Sequence, residues 1–214
     1  MKPEKSDFTS REWRIVQRYK TPAQVQGFLR KLKYNREEDS ETQRSFRQVI
    51  AHGSAHCLEA ALTAAVILEQ HDYPPLLLSF ESQDELDHVV YLFKGRNGLW
   101  GSIARSRDAG LHGRKPIFKT VRQLAASYHD PYVDFSGRIT GFAVVNLAEC
   151  LGNYDWRFSS RNLWKLENFL IDYKHSPLTI SDARYEKLLA RYKAFRQKYP
   201  KKQATYYENR HSWL

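Results

Sequence analysis

From Cys57 to Glu69 the chain reads Cys57-Leu58-Glu59-Ala60-Ala61-Leu62-Thr63-Ala64-Ala65-Val66-Ile67-Leu68-Glu69. Glu59, Thr63 and the terminal Glu69 are its only polar side chains after the cysteine. A helix built from this run has no face that gains by meeting water. It must be the enclosed central helix, and the other elements must be layered around it. Glu59 and Thr63, one turn apart, mark its polar edge. Breaker-rich Ala51-His52-Gly53-Ser54-Ala55-His56 precedes the run, and Glu69-Gln70-His71-Asp72-Tyr73-Pro74-Pro75 closes it. A thiol therefore falls in the first turn, where the partial positive charge of a helix N-terminus favours the thiolate.

The elements around this helix follow from pattern and punctuation. Thr21-Pro22 predicts a capped helix start, with Pro22 at the first helical position and Val25, Phe28, Leu29 and Leu32 on one stripe. A polar link, 35–40, leads to a short helix expected over 42–50, with Phe46, Val49 and Ile50 inward. After the central helix the period changes. Leu76 to Ser82 predicts a strand, Gln83 to Asp87 an acidic turn, and His88 to Phe93 a second strand. Lys94-Gly95-Arg96-Asn97-Gly98 then predicts a hairpin turn into a third strand over 99–104. Strands joined by so short a turn are antiparallel neighbours.

Residues 110–116 read as loop, 120–128 as helix, and 139–147 as a further strand. The remainder reads as helical: one piece over 163–171 and another opening at Thr179-Ile180-Ser181-Asp182. In that last helix Tyr185, Leu188, Leu189, Tyr192, Phe195 and Tyr199 are spaced for one buried stripe. Residues 203–214 are polar and aromatic and are expected to dock loosely. The fold class expected is α+β, a central Cys-bearing helix packed on an antiparallel sheet. Residues 1–152 would form the α+β domain, and 153–214 a C-terminal helical extension packed on it.

With 214 residues and 42% hydrophobic content the chain can bury a full core. No apolar run approaches the roughly 20 residues that span a bilayer, and 1–7 lack the apolar segment of a secretory signal. Two cysteines, Cys57 and Cys150, make no disulfide framework, so both are expected reduced in a cytoplasmic protein. Cys150, with no histidine nearby, reads as structural. The net charge is +10, and Lys187, Arg191, Lys193, Arg196, Lys198, Lys201 and Lys202 accumulate between 187 and 202 without an acidic residue. Such a run is either a solvated face or a site for a polyanion such as nucleic acid.

The chemistry begins with Cys57 and with His88, about thirty residues on. A thiol becomes a strong nucleophile at neutral pH only beside a base or an imidazolium, and the strand opened by His88 could supply one. A third group should then hold the imidazole by its other nitrogen. A cysteine on an apolar helix is otherwise core filler, and the pairing with His88 is what lifts it from that reading. A metal site built from His52, His56 and Cys57 is the rival. No Cys-x-x-Cys or His-Glu-x-x-His spacing supports it, so no metal is expected. Gly95-Arg96-Asn97-Gly98 precedes no helix and is no phosphate-cradling loop, so no cofactor is expected.

Cys57-x-x-Ala60-Ala61 at a helix start, His88 opening the second strand and Trp100 on the third resemble the transglutaminase-like superfamily. The nearest pattern is a poorly described bacterial branch in which a Cys-Leu-Glu-Ala-Ala helix precedes a Trp-Gly-Ser segment. The resemblance covers about 48–128. It implies a papain-like core, Cys57 as nucleophile, His88 as its general base, and a peptide or amide substrate. The family's Asp would fall near Ala104, which has no side-chain hydrogen bond to offer. Ser102 shares the parity of Trp100 and is the first choice to orient His88, and Asp108, the nearest downstream carboxylate, is the second. His56, Glu59 and Trp100 are candidates to line the substrate site, although Glu59 could serve simply to cap its own helix. The expected function is thiol-based amide hydrolysis or acyl transfer. The alternative is a catalytically silent module of the same fold that holds an acidic partner through its basic C-terminal helix.

Overall fold

The computed structural model describes residues 2–206 and 212–214. Capping side chains set the helix starts. Thr9 caps α1 (Ser10–Arg18) in a reciprocal box with Glu12, and Thr21 caps α2 (Pro22–Leu29) with Pro22 inside its first turn. Two-residue strand β1 (Lys33–Tyr34) follows. Helix α3 (Phe46–His52) begins three to four residues later than its pattern suggests. Ser45 accepts from Gln48 N at 3.4 Å and caps it, while Thr42 is drawn away to Glu59. Gly53, at φ +70°, ends α3 in the left-handed region that a residue without Cβ enters freely. Strand β2 (Ser54–Ala55) then pairs in parallel with β1 and delivers the chain to α4 (Cys57–Glu69).

Every residue of α4 after Cys57 is buried, as an all-round apolar helix requires. The strands that follow are β3 (Leu76–Ser82), β4 (His88–Lys94), β5 (Trp100–Ile103) and β6 (Arg114–Phe118). Next come α5 (Val121–Ala126), α6 (His129–Tyr132), β7 (Ile139–Asn146) and α7 (Leu147–Cys150). The chain continues through α8 (Trp164–Asp172), β8 (Ser176–Pro177) and α9 (Asp182–Lys198). Six strands form one wholly antiparallel sheet in the order β6-β5-β4-β3-β7-β8. The fold is thus mixed α and β around a six-stranded antiparallel sheet.

Part of the segment expected as loop is strand. Arg114–Phe118 pairs with β5 through an irregular register. Pro116 is tolerated there because β6 is an edge strand, where a missing N–H breaks no ladder. The alternation of β4 separates two cores. Val89, Tyr91 and Phe93 join α4, α2 and α3 in one cluster, which also takes in Trp156, Leu163, Leu166 and Leu170 from the C-terminal third. Val90 and Leu92 join Phe80, Leu124, Tyr128 and Tyr132 in the other. Burying each large aliphatic side chain contributes about 1.5–3 kcal/mol.

The stripe expected on α9 is only half realised. Leu188 is its sole buried residue, while Tyr185, Leu189, Tyr192, Phe195 and Tyr199 are half-exposed. This helix lies across the rim of the molecule rather than in a core. Of the stretch 203–214, residues 207–211 lie outside the described residues. At its end Leu214 N donates to Gly113 O at 3.0 Å, and Trp213 forms a bridge with Arg114.

Glu69 and Arg157 tie the end of α4 to the C-terminal third. The guanidinium donates to both carboxylate oxygens, at 2.8 and 2.7 Å, and both groups are largely buried. Arg157→Met should cost about 3–5 kcal/mol in urea unfolding, because it strands a buried carboxylate. Adding Glu69→Gln should recover much of that loss.

Candidate active site

Three side chains converge where α4 meets the sheet. Cys57 occupies the first position of α4 and is only partly buried. His56 and His88 line the same cleft as its side chain. Burial alone would push the thiol up. The two imidazoles, by hydrogen bonding and by charge, outweigh burial and hold it well below its ordinary value.

His56 is the N-cap residue of α4. Its ring Nε2 lies 2.8 Å from Thr42 O and 3.5 Å from Glu59 Oε1. A carbonyl can only accept, so Nε2 carries a proton. Burial disfavours charge on this ring, but its bond to Cys57, the thiolate's charge and Glu59 overturn that and push its pKa up to about 9. At neutral pH His56 is therefore an imidazolium.

His88 is buried at the start of β4, with its ring stacked on Phe80 at 6.1 Å and tilted against Tyr128 at 5.9 Å. Its Nε2 donates to the backbone carbonyl of Leu111 at 3.0 Å. That bond fixes the tautomer and leaves Nδ1 for the sulfur. Leu111 ends a single 3-10 turn, Ala109–Leu111. The buried Arg114 clamps both sides of it, donating to Gly110 O at 2.8 Å and to His112 O at 2.7 Å.

Neither side chain expected to orient His88 does so. Ser102 Oγ is 2.8 Å from Tyr128 Oη and accepts from Arg114 N at 3.1 Å. It lies well along β5, opposite Leu92 rather than His88. Asp108 borders the cleft but pairs with Arg107 at 3.2 Å. At Ala104, the slot where a carboxylate was sought, Gln26 takes both backbone groups, at 3.0 and 2.8 Å.

The other candidates divide. His56 lines the cleft. Glu59 does not: it is fully buried and caps its helix by accepting from His56 N at 3.0 Å. Trp100 pairs with Lys94 at the far end of β4, roughly 20 Å along the strand from His88. It packs beside Lys94 and Phe118, away from the thiol.

The cleft over Cys57 has a volume of ≈460 Å³, within the range of small-molecule sites. Tyr34, Glu37 and Gln43 form part of its wall, with Asp84 and Glu85 from the turn between β3 and β4 and Tyr132 from α6. Glu37 and Glu85 both hold left-handed backbone, at φ 56° and 60°, conformations that cost about 1 kcal/mol or more each. Lys201, Lys202 and Gln203 reach the rim. Among the described residues no group of three or more His, Cys, Asp or Glu side chains is placed to hold a metal ion.

Two contributors had no sequence signal. The carbonyl of Leu111 is a backbone group that any residue carries. Tyr34 enters the cleft from a strand too short to show a period.

The depressed thiol and raised His56 define a window. The thiolate is lost as pH falls through the lowered Cys57 value, and the imidazolium is lost as pH rises through about 9. The fall in alkylation of Cys57 by iodoacetamide should therefore set in at lower pH than that of a free thiol, which loses roughly tenfold per unit below its pKa. Exposed Cys150 is the internal control. His56→Asn should move the Cys57 profile up by about one unit or more, whereas Asp108→Asn should leave it in place. No family model matches the chain, and no curated protein matches it.

Proposed function

We propose that this cleft is the active site of a thiol-dependent amide hydrolase or acyltransferase with a papain-like, transglutaminase-like arrangement. One observation carries the reading: a partly exposed cysteine at a helix start shares a cleft with two imidazoles, His56 and His88, which hold its thiol low. Strongly perturbed groups facing a cleft concentrate at sites that react.

In this mechanism the Cys57 thiolate attacks a peptide or amide carbonyl. His56 supplies a fixed positive charge beside the sulfur. His88 takes the thiol proton on Nδ1, gives it to the departing amine and takes one back from the water or amine that resolves the thioester. The Leu111 carbonyl holds the ring as the imidazolium forms, with less charge stabilisation than a carboxylate would give. The backbone amide at the start of α4 helps bind the oxyanion.

The second reading is a silent module that binds a polyanion through the basic C-terminal helix. It draws on Lys187, Lys193 and Lys198, which are exposed. Its face is reduced by Arg191, which lies 3.7 Å from Asp130 and stacks on Tyr206, and by Arg196, which turns to the cleft. Among the described residues no helix is long and apolar enough to cross a membrane.

Exposure to p-nitrophenyl acetate followed by peptide mapping tests the proposal. Cys57 should be acetylated far faster than Cys150, with Cys57→Ala losing the fast phase and His88→Ala slowing it about 10²-fold or more. Equal labelling of the two cysteines would remove the case for an enzyme. Salt-sensitive heparin binding, lost on neutralising Lys187, Lys193 and Lys198, would then favour the second reading.

A further inference from the structure

We infer that the Tyr34 hydroxyl is an oxyanion donor of this site, touching the carbonyl oxygen of the substrate during acyl transfer. The inference rests on the acyl-transfer reading of Cys57 and extends it to a residue outside the cysteine–histidine group.

The placement follows from the backbone. β1 pairs in parallel with β2, with Tyr34 opposite Ala55, two residues before the nucleophile. Lys33 N donates to Gly53 O at 3.1 Å and Asn35 N to Ala55 O at 3.2 Å, so Tyr34 is tied on both sides to the strand that feeds α4. Arg105 holds the ring in place: its guanidinium lies over the ring at 5.6 Å and donates to Leu32 O at 3.4 Å. Tyr34 and Cys57 line the same cleft.

The hydroxyl is free to serve. Among the described residues no protein group takes its hydrogen bond, although the ring is fixed and half-buried. A tyrosine hydroxyl held at a cleft wall without a partner is available to a ligand. It also stays protonated. Burial first, then the negative charge of Cys57, push its pKa up to about 12. It therefore donates rather than competes as an anion at neutral pH.

The Cys57 thiolate forms a bond to the carbonyl carbon, and the π pair moves onto oxygen. Tyr34 Oη–H and the Cys57 backbone N–H donate to that oxygen without giving up their protons. The pair then returns, the bond to the leaving group breaks, and the thioester remains. With p-nitrophenyl acetate the leaving group is p-nitrophenolate, which needs no proton.

Two electrophiles separate this role from others. Iodoacetamide reacts with the thiolate by displacement at a saturated carbon and builds no oxyanion, whereas p-nitrophenyl acetate does. Tyr34→Phe keeps the ring under Arg105 and removes only the hydroxyl. It should slow acetylation of Cys57 about 10²-fold and leave its iodoacetamide rate unchanged, which also reports that the site is folded. Equal acetylation rates in wild type and Tyr34→Phe would overturn the inference and leave the cysteine mechanism standing. An equal loss in both reactions would overturn it too, by making Tyr34 a support of the thiolate. Wild-type Cys57 acetylated no faster than Cys150 would remove the acyl-transfer reading and this inference with it.

Discussion

The buried carboxylate of Glu59 organises the start of the central helix. Besides capping His56 N, it accepts from Thr42 Oγ1 at 2.8 Å, Arg44 N at 3.0 Å and Asn35 Nδ2 at 3.1 Å. These bonds draw the segment 35–44 over the N-terminus of α4. A fully buried carboxylate is tolerable only with its lone pairs filled, and here they are filled by groups from the segment 35–44 and by His56 N. The cleft wall at Glu37 and Gln43 and the carbonyl of Thr42 that meets His56 depend on this residue, and its charge adds to that of Cys57 in keeping His56 protonated. It shapes the site without entering it.

Positioning of the second histidine depends equally on groups outside the site. Arg114 spans the two carbonyls that flank Leu111, and Tyr128 Oη donates to His112 O at 3.1 Å. Ser102 braces Tyr128 in turn. The serine thus supports the loop that holds His88, two contacts away from the ring it was expected to touch. The ring of His88 is oriented by a neutral backbone carbonyl. His56 places a second imidazole at the cleft beside Cys57.

Much of the frame was legible in the residues. The all-apolar run after Cys57 has one physical solution, full enclosure. The sequences around 76–82, 88–93 and 99–104 carry strand patterns bounded by turn residues, and β3 to β5 form there. Thr21-Pro22 and Thr120 mark helix starts that form, whereas the pattern reading leaves out α1 and starts α3 too early. Misses came where tertiary contacts decide. β6 contains a proline that a pattern reading assigns to loop, yet an edge position accepts it. The α9 stripe has the spacing of a buried face but nothing deep enough to bury it. The place of β7 beside β3 is a matter of topology that local pattern does not encode.

By itself the sequence determined that a thiol would stand at the mouth of an enclosed helix and that a histidine would open a neighbouring strand, because hydrophobic periodicity and breaker residues set those positions locally. Tertiary structure alone decided what surrounds them: a second imidazole, a backbone carbonyl and a tyrosine hydroxyl that has no hydrogen-bond partner among the described residues. The reason is physical. Carbonyls are identical along the chain, and a two-residue strand has no period. The charge state of a histidine depends on which buried groups the fold brings within a few ångströms of it.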